Sequence, residues 1–210
     1  MPYRETEKMR NRKAQARRRI IECTQQCIAE GGFRNARVTS IAEGSGVATG
    51  TIYRHFESKE DLFAEIFRIA TQIEVDKVAE ALASEGNAVL RLERALRQFA
   101  VRALRSPTVA WALIAEPVDP KVEEERLKFR RAYAELLESA IEQGMAEGSL
   151  PQQQASRSSA CLVGAIAESL VGPLSPSVAN AQSLASNNDS QPLVDSIICF
   201  CMQGLTGNRR

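Results

Sequence analysis

Residues 39–56 read TSIAEGSGVATGTIYRHF, and their spacing decides how the rest of the chain is understood. Two short helices joined by a tight turn need a small residue where they meet, a residue that tolerates positive φ in the turn, and a branched apolar residue that locks the second helix onto the first. Ala42, Gly46 and Ile52 supply these at spacings of 4 and 6. Ile41 and Val47 add packing, and Thr39 is placed to cap the first short helix and to present its backbone N–H groups to a phosphate. In a helix-turn-helix the second helix enters the DNA major groove with its N-terminal residues nearest the bases. Here those residues are Thr49, Gly50, Thr51 and, one turn on, Arg54.

Working outward, the chain reads as helix almost throughout. Ile20, Cys23, Thr24, Cys27 and Ile28 form one face that stops at Gly31-Gly32, where a left-handed cap costs least. Ser58, with Asp61 three places on, approximates a capping box and opens a helix to about Ser84 carrying Leu62, Phe63, Ile66, Phe67, Ala70 and Ile73 on one side. Val89, Leu92, Leu96, Phe99, Ala100 and Ala103 make the next face. Ser106-Pro107 and Asp119-Pro120 each read as an N-cap followed by proline at the first helical position. Glu123, Glu124 and Glu125 then suit the positive end of the macrodipole, in a helix that runs to Gly148. Further helices are expected over 153–172 and 191–206, with the Ser/Asn-rich stretch SVANAQSLASNNDSQ between them as a loop. Strand patterns are absent. The expected fold class is all-α with about nine helices, in three parts: a basic N-terminal arm at 1–14, a helix-turn-helix head at 15–60 and a helical body at 61–210.

Composition agrees. Of 210 residues 44% are hydrophobic and 25% charged, which is ordinary globular usage. The net charge of +1 hides a division: residues 1–59 hold 12 Lys/Arg against 6 Asp/Glu, and residues 60–210 hold 15 against 20. A polyanion-binding end joined to something else is the natural reading. Five cysteines and no apolar leader point to a reduced, cytoplasmic setting. Apolar runs such as CLVGAIAESLVG at 161–172 break well before the length of a membrane span.

Residues 15–70, with TSIAEGSGVATGTIYRHFESKEDLFAEIF preceded by RRIIECTQQCIAEGGF, resemble the DNA-binding module of the TetR family of one-component transcriptional regulators. Thr39, Ala42, Gly46-Val47, Gly50-Thr51, Tyr53, Phe56, Lys59 and Leu62 all fall in register. The resemblance implies a homodimer whose two recognition helices address a palindromic operator on double-stranded DNA, and a body that binds a small-molecule effector. It also implies roles: Thr39, Thr49, Tyr53, His55 and Lys59 as phosphate contacts, and Thr51 and Arg54 as readers of base edges. One departure is that many relatives have Ser then Lys where this chain has Ala48-Thr49, which moves a hydroxyl by one place and removes a charge.

Other features admit two readings. Arg17, Arg18 and Arg19, with the cations upstream, are either a solvated helix face or part of an arm on the DNA backbone or minor groove. Cys23 and Cys27 are either core thiols or a metal pair, and no partner at zinc-site spacing supports the second. Phe99, Trp111, Phe129, Tyr133 and Met145 are either core or the wall of a cavity, with Glu116 its polar group. The small residues of 158–169, with Leu162, Ile166 and Leu170, together with Val194, Ile197 and Phe200, are expected to form a four-helix dimer interface. No nucleophile–base pair, metal set or phosphate loop is visible, so no catalytic residue, metal or cofactor is expected. The function expected is a repressor released by its effector, the alternatives being a ligand-independent repressor or architectural protein, or a ligand-responsive activator.

Overall fold

The structure, a computed structural model, describes residues 7–176 and 190–207. The described residues form nine helices and no strand: α1 (Glu7–Asn35), α2 (Val38–Ser45), α3 (Thr49–Ile52), α4 (Lys59–Leu82), α5 (Ala88–Arg105), α6 (Pro107–Ile114), α7 (Pro120–Ala146), α8 (Ala155–Leu174) and α9 (Ser190–Thr206). The Ser/Asn-rich loop expected before α9 lies almost wholly outside the described residues, as do residues 1–6 of the expected arm.

Local chemistry sets most boundaries. Ser58 accepts a hydrogen bond from the Asp61 amide and donates its own proton to the Asp61 carboxylate, so the Asp variant of the capping box closes here. Asn87 caps α5 through the Leu90 amide, and Asp119 caps α7 through the Lys121 and Val122 amides. Ser106 precedes Pro107 as expected but makes no side-chain cap bond. At Gly32 the backbone takes φ 73 and ψ −179, so the regular helix of α1 ends where the glycine pair predicts, although helical hydrogen bonding resumes to Asn35. Pro173 lies inside the last turn of α8, which therefore ends two residues later than expected.

Residues 7–14 of the expected basic arm form the first two turns of α1, because Lys, Arg, Met and Ala favour helix and Glu7 suits its N-terminus.

Two cores are filled. In the head, Ile20 and Ile28 of α1, Ile41 and Ala42 of α2, Ile52 of α3 and Phe56 pack on Leu62, Phe63, Ile66 and Phe67 of α4. In the body, Val78, Ala81 and Leu82 of the same α4 pack with α5, α7, α8 and α9. α4 thus belongs to both, and the head's core runs past residue 60 to Phe67. α6 lies across the joint, against α1 on one side and α5 and α8 on the other. No described helix is long and apolar enough to cross a membrane.

Candidate nucleic-acid interface and ligand cavity

The turn between α2 and α3 is built as the spacing requires. Gly46 caps α2 in the left-handed region at φ 65 and ψ 37, and the amides of Gly46 and Val47 return to the carbonyls of Glu43 and Ala42. Ala42 and Ile52 are buried at the crossing. α1 and α2 approach closely: a Cβ on Gly44 would lie 2.5 Å from the Cys23 Sγ, a constraint that motif spacing does not reveal. α3 is only four residues long, continued by turns through His55, and leaves Thr49, Gly50, Tyr53 and Arg54 exposed on one side, with Thr51 and His55 half-buried. No described residue pairs with the Arg54 guanidinium. Thr39 is exposed at the second position of α2, where Arg37 is the cap residue and no side-chain cap bond forms; the expected capping role is therefore corrected.

The cations around α3 divide into free and braced ones. Arg17 is braced: its guanidinium grips both oxygens of Glu65 at 2.5 and 2.6 Å and lies 5.0 Å above the Phe56 ring. This clamps α1 to α4 behind the recognition turn and pairs the Arg17 charge with Glu65, while the side chain stays part-exposed. Lys59 Nζ stands 4.8 Å above the Phe63 ring at the start of α4. Burial, followed by the positive charges of Lys13 and Arg17, holds the His55 imidazole below its ordinary pKa.

The body contains a cavity of about 330 Å³. Its wall is mainly apolar and includes Phe67, Phe99, Phe129, Tyr133 and Ile166. Phe99 and Tyr133 meet edge to face at 5.6 Å. Buried or part-buried polar groups on the wall are Thr71, the Glu74–Arg102 pair and Arg126, while Arg105, Ser106 and Arg130 are exposed at the rim. Three expected members are elsewhere. Trp111 packs half-buried on the other side of α6, which turns Val109, Ala110, Leu113 and Ile114 to the cavity. Met145 packs against the body core, where its sulfur faces the Gln153 amide. Glu116 is buried outside the cavity, because its carboxylate accepts the Phe33 and Arg34 amides, both at 2.9 Å.

Glu116 therefore joins body to head. Gly32 is required at that joint twice: by its positive φ, and because a Cβ there would sit 2.6 Å from a Glu116 oxygen. The cavity wall reaches the same joint. Phe67 lines the cavity and stacks on Phe33 at 6.3 Å, and Arg126 lines it while donating to the carbonyls of Ala112, Leu113 and Glu116 at the C-terminus of α6. Lys121 adds a second tie, from α7 to Asp61 at 2.7 Å. Sequence reasoning missed this joint since its partners lie 82 and 83 residues apart.

The expected dimer residues are placed mostly in the chain's own core. Leu162, Ile166, Leu170, Val194 and Ile197 are all at most 6% exposed within one chain, and only Phe200 is outside, at 69%. The strongest apolar stripes of α8 and α9 are consumed by the chain's own core. Their outward faces carry Cys161, Gly164 and Glu168 on α8 and Phe200 and Gly204 on α9, with open space at both glycines.

A helix-turn-helix head with an exposed second helix, joined through a shared helix to a body with an apolar cavity, defines a one-component DNA-binding regulator. The model of the bacterial regulatory proteins, tetR family, matches residues 20–66, which hold most of the head and the first part of α4. It is 25% identical over 132 residues to the HTH-type transcriptional repressor KstR2 of Mycobacterium tuberculosis, a match covering 60% of this chain and 66% of that one. It is 33% identical over 73 residues to the fatty acid metabolism regulator protein of Bacillus subtilis, covering 35% and 38%. The match thus spans just under two thirds of the first protein and well under half of the second. The solved transcriptional regulator FadR of Bacillus subtilis in complex with stearoyl-CoA shares the fold, with a TM-score of 0.73 at 21% identity over 90% of this chain and 98% of that one.

Proposed function

We propose that the protein is a dimeric repressor that holds a palindromic operator until a small, largely apolar molecule enters the body cavity and releases it. The observation that carries this reading is the shared wall: Phe67 and Arg126 touch the cavity and also hold the joint at Phe33 and Glu116. A ligand that fits the cavity better when that joint has shifted favours a conformation whose two heads miss successive major grooves, about 34–36 Å apart on B-DNA. Only its differential affinity for the two states does this work. The stearoyl-CoA bound by the Bacillus subtilis neighbour supports an apolar ligand as the effector class. Thr39, Thr49, Tyr53, His55 and Lys59 serve as phosphate contacts and Thr51 and Arg54 as base readers. The dimer forms through the outward faces of α8 and α9. The test is a footprint on DNA flanking the protein's own gene, repeated with compounds extracted from the purified protein. Two protected half-sites one helical turn apart, lost when the extract is added, are expected. Protection that no extract relieves would leave a ligand-independent repressor, and absence of any protection would reject the operator.

A further inference from the structure

We propose that the effector carries an uncharged oxygen, a hydroxyl or a carbonyl, at its buried end, and that Thr71 and Tyr133 receive it. This rests on the ligand-released reading above and specifies the chemistry of the same cavity. Hydroxyls inside helices of this chain usually return to the carbonyl one turn back: Thr24 to Ile20 at 2.7 Å, Ser45 to Ile41 at 2.6 Å, Ser169 to Ala165 at 2.7 Å and Ser196 to Pro192 at 2.9 Å. Thr71, on the cavity side of α4, forgoes that bond. Its residue is 5% exposed and its Oγ1 finds no hydrogen-bond partner among the described residues. A buried hydroxyl left unmet is costly, and threonine in a helix has two accessible χ1 wells through which to turn it toward a ligand.

Tyr133 faces the same cavity from α7, and no described residue hydrogen-bonds to its hydroxyl. Burial raises its pKa, so the phenol stays protonated and both donates and accepts.

The charged groups on the wall leave no place for a buried ion. Glu74, one turn along α4 from Thr71, is held in two hydrogen bonds by Arg102 at 2.6 and 2.7 Å. Arg126 is committed to three backbone carbonyls and Glu123. A carboxylate or an ammonium at the buried end would therefore be desolvated without a free counter-charge. Two hydroxyls beside a neutral ion pair complement a neutral oxygen on an apolar frame, while the exposed Arg105 and Arg130 offer charge only at the rim.

Naphthalene, naphthol and naphthoate share one apolar framework and differ in this feature alone. Calorimetry with the full-length protein near neutral pH should rank naphthol about fivefold tighter than naphthalene, the increment of one net hydrogen bond, with naphthoate weakest. Thr71→Val and Tyr133→Phe should each shrink the naphthol advantage and leave naphthalene binding as it was. Thr71→Val should also raise the unfolding midpoint of the free protein, because it removes an unmet hydroxyl; a structural threonine would lower it. Naphthoate binding tightest, naphthol and naphthalene binding alike, or an advantage that survives both substitutions would overturn this inference alone. If none of the three binds, the cavity is not a small-molecule site and the ligand-released reading falls with it.

Discussion

At Gly50 a Cβ would meet nothing within 4 Å, so packing within the chain gives no reason for glycine at the second position of α3. Alanine there should favour the helix by roughly 0.5–1 kcal/mol while placing a methyl group on the face that docks. Gly50→Ala is therefore expected to raise the melting midpoint and lower operator affinity, read by thermal melts and fluorescence anisotropy; movement of both in the same direction would reject close DNA approach at this residue. Arg54 is exposed and has no partner among the described residues, which leaves its guanidinium able to make a bidentate contact to guanine. Arg54→Ala should cost about 1–3 kcal/mol on the operator and much less on random DNA at the same salt concentration. Equal losses on both would make it a phosphate contact. His55 gives a pH signature. Its imidazole starts below the ordinary pKa in the free protein, from burial and then Lys13 and Arg17, and a phosphate alongside would raise it in the complex. The bound state then takes up a proton: the contribution to affinity is fully present below the free-protein pKa and is lost as pH rises through that of the complex. Anisotropy at constant ionic strength should show binding tightening as pH falls below 7, and His55→Gln should flatten that rise.

Helices whose signals are local are legible from sequence. Proline at the first position, Asp119 and Ser58 as caps, and the Gly46 turn all act within four residues, and α3, α4, α6 and α7 start within a residue or two of where these signals place them. What escapes sequence reading is which side of a helix faces which neighbour. Trp111 reads as a wall candidate by apolarity, and only the placement of α6 between α1, α5 and α8 turns Leu113 to the cavity in its stead. Glu116 looks like a polar pocket group because it stands between two proline breaks; its actual partners are backbone amides at the end of α1, which carry no side-chain signature. Glu116→Gln replaces one accepting oxygen with an NH₂ that cannot receive an amide proton. A loss of about 1–3 kcal/mol in stability is expected, with faster hydrogen exchange at the Phe33 and Arg34 amides and an operator complex that responds less steeply to effector. Unchanged protection at those two amides would mean that the clasp does not hold α6 to the head.

At the scale of the whole molecule, α1 is helical from Glu7 and places Lys13 and Arg17 near enough to bear on His55, so part of the basic excess of the first 59 residues lies beside α3. In the proposed dimer one head reads one half-site, so specific grip on a palindrome depends on a second copy held at fixed spacing, and the apolar stripes of α8 and α9 are already buried within one chain. Their outward faces can: small residues at Gly164 and Gly204 permit close approach, and Phe200 is the most exposed large hydrophobic among the described residues, at 69%. Phe200→Asp leaves the chain's own core untouched, since the ring is outside it, and buries a charge only if a partner covers that face. Sedimentation should therefore show a monomer with an unaltered melting transition at low concentration. Because two linked heads bind the second half-site at a high effective concentration, affinity for the full palindrome should fall by about a hundredfold or more while affinity for an isolated half-site stays constant. A variant that remains dimeric and binds the palindrome as the parent does would place the two-fold contact on another face and leave Phe200 to a different partner.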